Sequence, residues 1–284
     1  MSDPHPGAVP SPETIARLLA EDVGFGDLTA AILPEATRAE AVVICRESAI
    51  LCGRHWFDEV FRQLDPRLKI LWHFEDGDRL EAGAVICALK GAARPLVTGE
   101  RTALNLLQTL SGTATLVRSY QELLASTPLT LLDTRKTLPG LRRAQKYAVM
   151  IGGGTNHRMG LDDGLLIKEN HIRALGSIRA ALEAARALCP KGMLLEIEVE
   201  TLDELDQALA AGATRILLDE FSARDRAEAV RRAQGRAQLE VSGNVTVDDL
   251  REIADSGVDF VSVGALTKHL RAIDLSMQIR VDPP

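Results

Sequence analysis

The sequence predicts an α/β protein in two parts: an α+β domain over residues 1–115, then a parallel βα barrel over residues 116–273. Three observations carry this. In the second half, short apolar runs alternate with helical patterns, as βαβ units around a parallel sheet require. At least six such runs follow one another at similar spacing, which favours a barrel over an open sheet. The first half lacks that rhythm and mixes short strands with helices.

In chain order, "PETIARLLAED" reads as a short helix. "AEAVVICRESAILCG" alternates and turns like a hairpin, and "RHWFDEVFRQL" is amphipathic at helical spacing. "KILWHFEDGDRLEAGAVICALKG" holds strands around the turn "EDGD". That turn is similar to the hammerhead of biotinyl and lipoyl carrier domains, but no lysine stands at its tip, so it reads as a structural hairpin. "TGERTALNLLQTLSGTATLVRSYQELL" reads as a long helix broken near Ser111-Gly112.

The buried strands of the barrel are "LTLLD" (129–133), "GLLIKEN" (164–170), "LLEIEVE" (194–200), "RILLDEF" (215–221), "LEVSGN" (239–244) and "DFVSVGA" (259–265). Helices between them read from "GSIRAALEAARAL", "TLDELDQALAAGA", "RDRAEAVRRAQ" and "TVDDLREIADSG". Thr201 with Glu204 forms a capping box, "TVDD" opens its helix similarly, and Gly212 and Gly257 stop helices. The final stretch, residues 274–284, is expected to be a strand returning to the first domain.

The chain has 284 residues, 46% of them hydrophobic, and a net charge of −7. An acidic balance argues against general nucleic-acid binding, and no apolar run is long enough for a membrane span. "MSDPHPGAVPSPE" has neither the basic nor the apolar region of a signal peptide. Cys45, Cys52, Cys87 and Cys189 lack paired spacing and read as reduced cytoplasmic thiols.

Against this acidic background, cations gather after the first barrel strand. In a βα barrel the chemistry lies at the C-terminal ends of the strands. Those ends deliver Asp133, Thr134, Arg135 and Lys136, then Lys168, Glu169 and Asn170, then Glu196, Glu198 and Glu200 on one strand face, then Asp219 and Glu220, Ser242-Gly243-Asn244, and Gly264-Ala265. The glycine loop "GGGTNHR" adds His157 and Arg158. Small residues after the last strands suit a phosphate, carboxylates suit sugar hydroxyls or Mg²⁺, and guanidinium groups fork onto carboxylates. The pattern predicts a ligand with a phosphorylated sugar at one end and a polyanion at the other. Arg142, Arg143 and Lys146 are expected on a solvent-facing helix after Pro139-Gly140. Lys168 also matches a Schiff-base lysine on a barrel strand, a reading that leaves the cation bank without a purpose.

The segments "ERTALNLLQTLSGTAT", "LLDTRKTLPGLRRAQKYAVMIGGGTNHRMGLDDGLLIKENHI", "EIEVET", "ILLDEF", "EVSGNV" and "SVGALTKHLRAIDLSM" closely resemble the quinolinate phosphoribosyltransferase family. The resemblance implies an N-terminal α/β sandwich domain plus an incomplete (β/α) barrel, in a homodimer. It implies phosphoribosyl transfer from phosphoribosyl pyrophosphate to quinolinate with decarboxylation, and Mg²⁺. Arg135, Lys136, His157, Arg158 and Lys168, with Thr134 beside them, resemble the quinolinate pocket. Glu198 and Asp219 resemble the residues on the ribose and Mg²⁺. Ser242, Gly243, Asn244, Val263, Gly264 and Ala265 resemble the phosphate loops, and either Lys268 or His269 the cation there. Arg101 resembles an arginine that enters the partner subunit's site. Lys136 or Lys168 would deliver the proton after decarboxylation. Proteins associated with molybdenum uptake share the fold and much of the motif order, but the intact cation set argues for the enzyme.

Overall fold

The computed structural model describes residues 5–281. Its first elements are α1 (Pro12–Val23), β1 (Arg38–Cys45), β2 (Ala49–Ile50), α2 (Arg54–Leu64), β3 (Lys69–Trp72), β4 (Arg79–Leu80), β5 (Val85–Ala92) and α3 (Ala93–Leu124). Next come β6 (Thr130–Leu132), α4 (Arg142–Gly152), β7 (Gly164–Ile167), α5 (Glu169–Leu175), α6 (Ile178–Leu188) and β8 (Leu194–Val199). The chain closes with α7 (Leu202–Ala210), β9 (Arg215–Asp219), α8 (Ala223–Ala233), β10 (Gln238–Ser242), α9 (Leu250–Asp255), β11 (Phe260–Ser262), α10 (Ala265–Lys268) and β12 (Leu275–Val281).

These elements form two compact units. The first holds the chain up to Arg118, then Gly140–Gly153, then everything from His269 on. The second holds Ser119–Pro139 and Gly154–Lys268. Sequence reading assigned all of 116–273 to the barrel, whereas α4 belongs with the first unit. The cause is packing: Ala144 and Ala148 of α4 are wholly buried in the apolar core formed with α1, α2 and β1. That same packing corrects the expectation for Lys146, which is completely buried instead of facing solvent. Among the described residues, no helix is long and apolar enough to cross a membrane.

In the first unit an antiparallel sheet runs in the order β12-β1-β5-β3. β1 alternates exposed and buried residues, as a strand covered on one face must. Helix α2 buries Trp56, Phe57, Val60 and Phe61, a single face at helical spacing. The first expected hairpin does not form. β1 pairs with β5 and β12, whereas β2 leaves the turn to pair with β4. The strands around "EDGD" do come together: β3 pairs antiparallel with β5, and the short β4 between them goes to β2. The turn itself is structural: Asp76 Oδ1 accepts from the Gly53 and Arg54 amides at the start of α2 (3.0 and 3.2 Å), and its Oδ2 accepts from Tyr147 (2.9 Å).

Helix α3 runs unbroken through Ser111-Gly112. These residues are small for contact, not for a break. Ser111 Oγ accepts from the Cys52 amide at 3.0 Å, and a Cβ on Gly112 would lie 2.3 Å from the Arg271 carbonyl oxygen. Glycine to alanine inside a helix ordinarily stabilises by about 1 kcal/mol. Gly112→Ala is expected to do the opposite, destabilising by roughly 1–3 kcal/mol because backbone must move. A fall in thermal midpoint checks this, and a rise would show that Arg271 yields freely.

The second unit is a six-stranded parallel sheet in the order β6-β11-β10-β9-β8-β7. That is the cyclic order of a barrel with one seam missing, between β6 and β7. Thr155 partly fills the seam, donating to Leu131 O (2.9 Å) while its carbonyl accepts from the Asp133 amide (3.1 Å). Ser177, Thr201 and Ser222 cap α6, α7 and α8 by accepting from backbone amides. "TVDD" differs from the expectation: α9 begins only at Leu250, and the Asp249 carboxylate reaches back to the Thr246 amide (2.9 Å).

Candidate active site

Side chains alternate along a strand, so β9 turns Arg215, Leu217 and Asp219 to one face. β8 turns Glu196 and Glu198, and β10 turns Glu240 and Ser242, the same way. Residues between them, such as Ile197, Ile216, Leu218 and Val241, are buried apolar groups on the other face. Register then fixes neighbours: Leu217 pairs with Glu198 on one side and Glu240 on the other, and Asp219 pairs with Ser242.

A cavity of about 170 Å³ opens on this face. Arg135, Lys136, His157, Arg158 and Lys168 all line it, with Thr134, Glu198 and Ser242. Residues separated by more than thirty positions in the chain therefore converge as expected. Burial, and then the nearby charge of Arg135, pull the Arg158 guanidinium below its ordinary pKa. Both remain cations, so two like charges share a wall that an anion would relieve. The Lys168 ammonium meets Glu198 Oε2 at 2.5 Å.

Buried polar groups hold these cations in place. Asp133, fully buried, accepts from Asn156 Nδ2 (2.7 Å) and the His157 amide (2.9 Å). That ties the "NHR" segment to the end of β6. Thr267 Oγ1 donates to the Lys136 carbonyl at 2.7 Å, and the Lys136 amide donates to Thr134 Oγ1 at 3.1 Å. A Cβ on Gly264 would lie 2.9 Å from Lys136 Cδ, so this glycine makes room for the lysine.

Deeper in the barrel lies a layer of charge. Arg215 donates to Glu196 (3.0 Å) and to Glu240 (2.6 Å), and its guanidinium stacks 3.3 Å from the Phe260 ring centre. The His157 amide neighbour, Arg158 N, donates to Nδ1 at 2.7 Å. The ring proton therefore sits on Nε2 and is donated to Glu196 at 2.9 Å. Burial raises the Glu196 pKa, but His157 and Arg215 outweigh it and hold the carboxyl below its ordinary value. Glu240 goes the other way: burial, then the charge of Glu196, push it up to about 7. Together His157, Glu196 and Glu240 also have metal-ligand spacing, but Arg215 already fills the cation position among them.

Other expected residues stand outside the cavity lining. Asp219 sits beside Ser242 in the strand register. Gly243 has φ +98°, and a Cβ there would lie 2.7 Å from the Glu220 carboxyl group, so only glycine fits. Asn244, also at positive φ, donates to Glu220 Oε1 at 3.0 Å. Gly264 and Ala265 follow β11 at the start of α10, just after Val263. Arg101 is exposed on α3 in the first unit, beside a separate cavity of about 250 Å³ with Thr102, Asn105 and Thr109.

Residues 113–278 match the C-terminal domain of quinolinate phosphoribosyl transferase, and residues 27–111 match its N-terminal domain. The chain belongs to the quinolinate phosphoribosyltransferase family. Among its family relatives, the nicotinate-nucleotide pyrophosphorylase (carboxylating) of Mycobacterium leprae is 41% identical, over 94% of this chain and 96% of that protein. The probable carboxylating nicotinate-nucleotide pyrophosphorylase of Bacillus subtilis is 39% identical, over 91% and 90%. The structure of the nicotinate-nucleotide pyrophosphorylase of Francisella tularensis is similar with a TM-score of 0.91 and 48% identity, covering 96% of this chain and 98% of that one. The quinolinate phosphoribosyltransferase fold thus extends over both units.

Sequence reading missed Glu240, Leu217 and Ser262 as lining residues of the cavity. The signal was available in the period of two: Glu240 precedes Ser242 by two positions, and Leu217 precedes Asp219 by two.

Proposed function

We infer that this chain is a phosphoribosyltransferase that joins quinolinate to phosphoribosyl pyrophosphate and decarboxylates the product, giving nicotinate mononucleotide, pyrophosphate and CO₂ for NAD biosynthesis. The observation that carries it is one small cavity walled by Arg135, Lys136, Arg158 and Lys168. Two adjacent ring carboxylates need several cations from separate segments, because one arginine cannot satisfy both. Water exclusion strengthens each pairing.

In this reading the cations orient the ring nitrogen toward C1 of the ribose. That nitrogen displaces pyrophosphate, and the 2-carboxylate then leaves as CO₂ while the quaternised nitrogen stabilises the carbanion at C2. Lys136 or Lys168 supplies the proton. His157 has both ring nitrogens engaged by Arg158 N and Glu196, so its part is to position Arg158. Glu198 holds Lys168 and faces the ribose hydroxyls. The Ser242–Asn244 turn and Gly264 receive the phosphate, with Lys268 or His269 as its cation.

Mg²⁺ fits the donor set. Asp219 and Glu198 offer hard carboxylate oxygens on neighbouring strands, and Lys168 engages only one oxygen of Glu198. Glu198 and Asp219 would hold the ion, which would supply positive charge against the departing pyrophosphate. We further propose a homodimer in which Arg101 reaches the partner's site, and a cytoplasmic location, which the free thiols Cys45, Cys52 and Cys87 suit. A Schiff-base role for Lys168 has the carboxylate against it, since Glu198 Oε2 already holds the nitrogen that would have to attack.

The test is product release. Quinolinate with phosphoribosyl pyrophosphate should yield pyrophosphate and CO₂ in equal amounts, and nicotinate should yield neither at a comparable rate. Pyrophosphate release with nicotinate but none with quinolinate would sink the assignment.

A further inference from the structure

One acid in the cavity is left unused by the reaction just described. Glu240 is wholly buried on β10, lines the cavity, and has an oxygen, Oε1, with no well-formed hydrogen bond. Its other oxygen is taken by Arg215 of β9 at 2.6 Å. His157, in the segment before β7, lies 3.7 Å away, Glu196 of β8 shares Arg215, and Ser262 of β11 is near enough to ease the carboxylate. Arg135, Lys136, Arg158, Lys168 and Glu198 line the same cavity.

The charges in this layer do not balance with every acid ionised. Arg215 supplies one fixed positive charge, and Glu196, held low, matches it. His157 turns Nε2 to Glu196 at 2.9 Å and only comes within 3.7 Å of Glu240. A second carboxylate at position 240 shares Arg215 with Glu196 and otherwise depends on the wall cations above. An incoming dicarboxylate takes up those cations, and an ionised Glu240 would then repel it.

We propose that Glu240 is a further substrate-facing residue: it binds the dicarboxylate as a neutral acid, donating a hydrogen bond from Oε1 to a substrate carboxylate, so that binding takes up a proton. The inference rests on the quinolinate reading above. It gives the site selectivity for a dianion accompanied by one proton, and makes affinity fall as pH rises through the range where Glu240 ionises in the free protein.

Calorimetric titration of the whole protein with quinolinate, at pH 8 in buffers of different ionisation enthalpy, reads the proton directly. The wild type should take up about one proton, and its affinity should weaken roughly tenfold per unit at higher pH. Glu240→Gln keeps a donor without titrating, so its uptake should fall toward zero and its affinity should be flat with pH. Glu240→Asp should keep the uptake but bind more weakly. Binding by the wild type with no proton uptake, or unchanged uptake in Glu240→Gln, would overturn the proposal while leaving the quinolinate reading intact. Absence of any quinolinate binding by the wild type would overturn both. Should the glutamine variant not fold, the wild-type and aspartate titrations decide the question alone.

Discussion

Replacing Lys168 by alanine is expected to lower kcat/KM for quinolinate by roughly three orders of magnitude. Two effects act in the same direction. The cavity loses one of its cations, and Glu198 loses its ion-pair partner and is left there as an uncompensated charge. Steady-state kinetics measure the loss, and product analysis divides its cause. Accumulation of the undecarboxylated nucleotide would mark Lys168 as the proton donor. Weak binding with no such nucleotide would make it a positioning group and leave Lys136 as the donor. The same variant tests the dimer. Mixed with Arg101→Ala subunits, half of the dimers carry one intact composite site in two, so about a quarter of wild-type activity should return. No recovery in verified mixed dimers would count against a shared site.

Arg215→Ala is the second large effect, and it falls on stability. Removing the guanidinium leaves Glu196 and Glu240 facing each other in the barrel interior without their shared counterion. Breaking a buried ion network from one side costs about 3–5 kcal/mol. For a chain of this size the thermal midpoint should drop by about 10 °C. Adding Glu240→Gln removes one of the two stranded charges and should recover part of that loss. A double variant no more stable than Arg215→Ala would show that the two acids are not coupled through the arginine.

Much of the barrel was legible because parallel strands bury both faces and so stand out as apolar runs. The cap Thr201 was equally legible, since a cap acts within four residues. What escaped depends on distant contacts. The pairing of β1 with β12 joins Arg38–Cys45 to the far end of the chain, and no local pattern encodes it. Ser111-Gly112 has the composition of a helix break, yet its smallness answers to Cys52 and Arg271. Lys146 has the composition of a surface, but α4 buries it. In the site, the cations announced themselves as an excess over an acidic background. Arg215 and Glu240 did not, because a single charge at the edge of an apolar run looks like a strand end. Only the alternation of side chains through β9 and β10 turns them inward.

The interleaving of the two units also sets an order of events during synthesis. A ribosome delivers β1 early, but its partner β12 arrives last, so one edge of β1 waits uncovered while the entire barrel is made. The first unit needs α4 as well, which emerges only after β6. The part of the chain that is translated first is therefore the part that finishes folding last. Nascent chains stalled anywhere before Leu275 would expose that edge to association with each other, and loss of the last seven described residues should be felt in the sheet at the opposite end of the sequence.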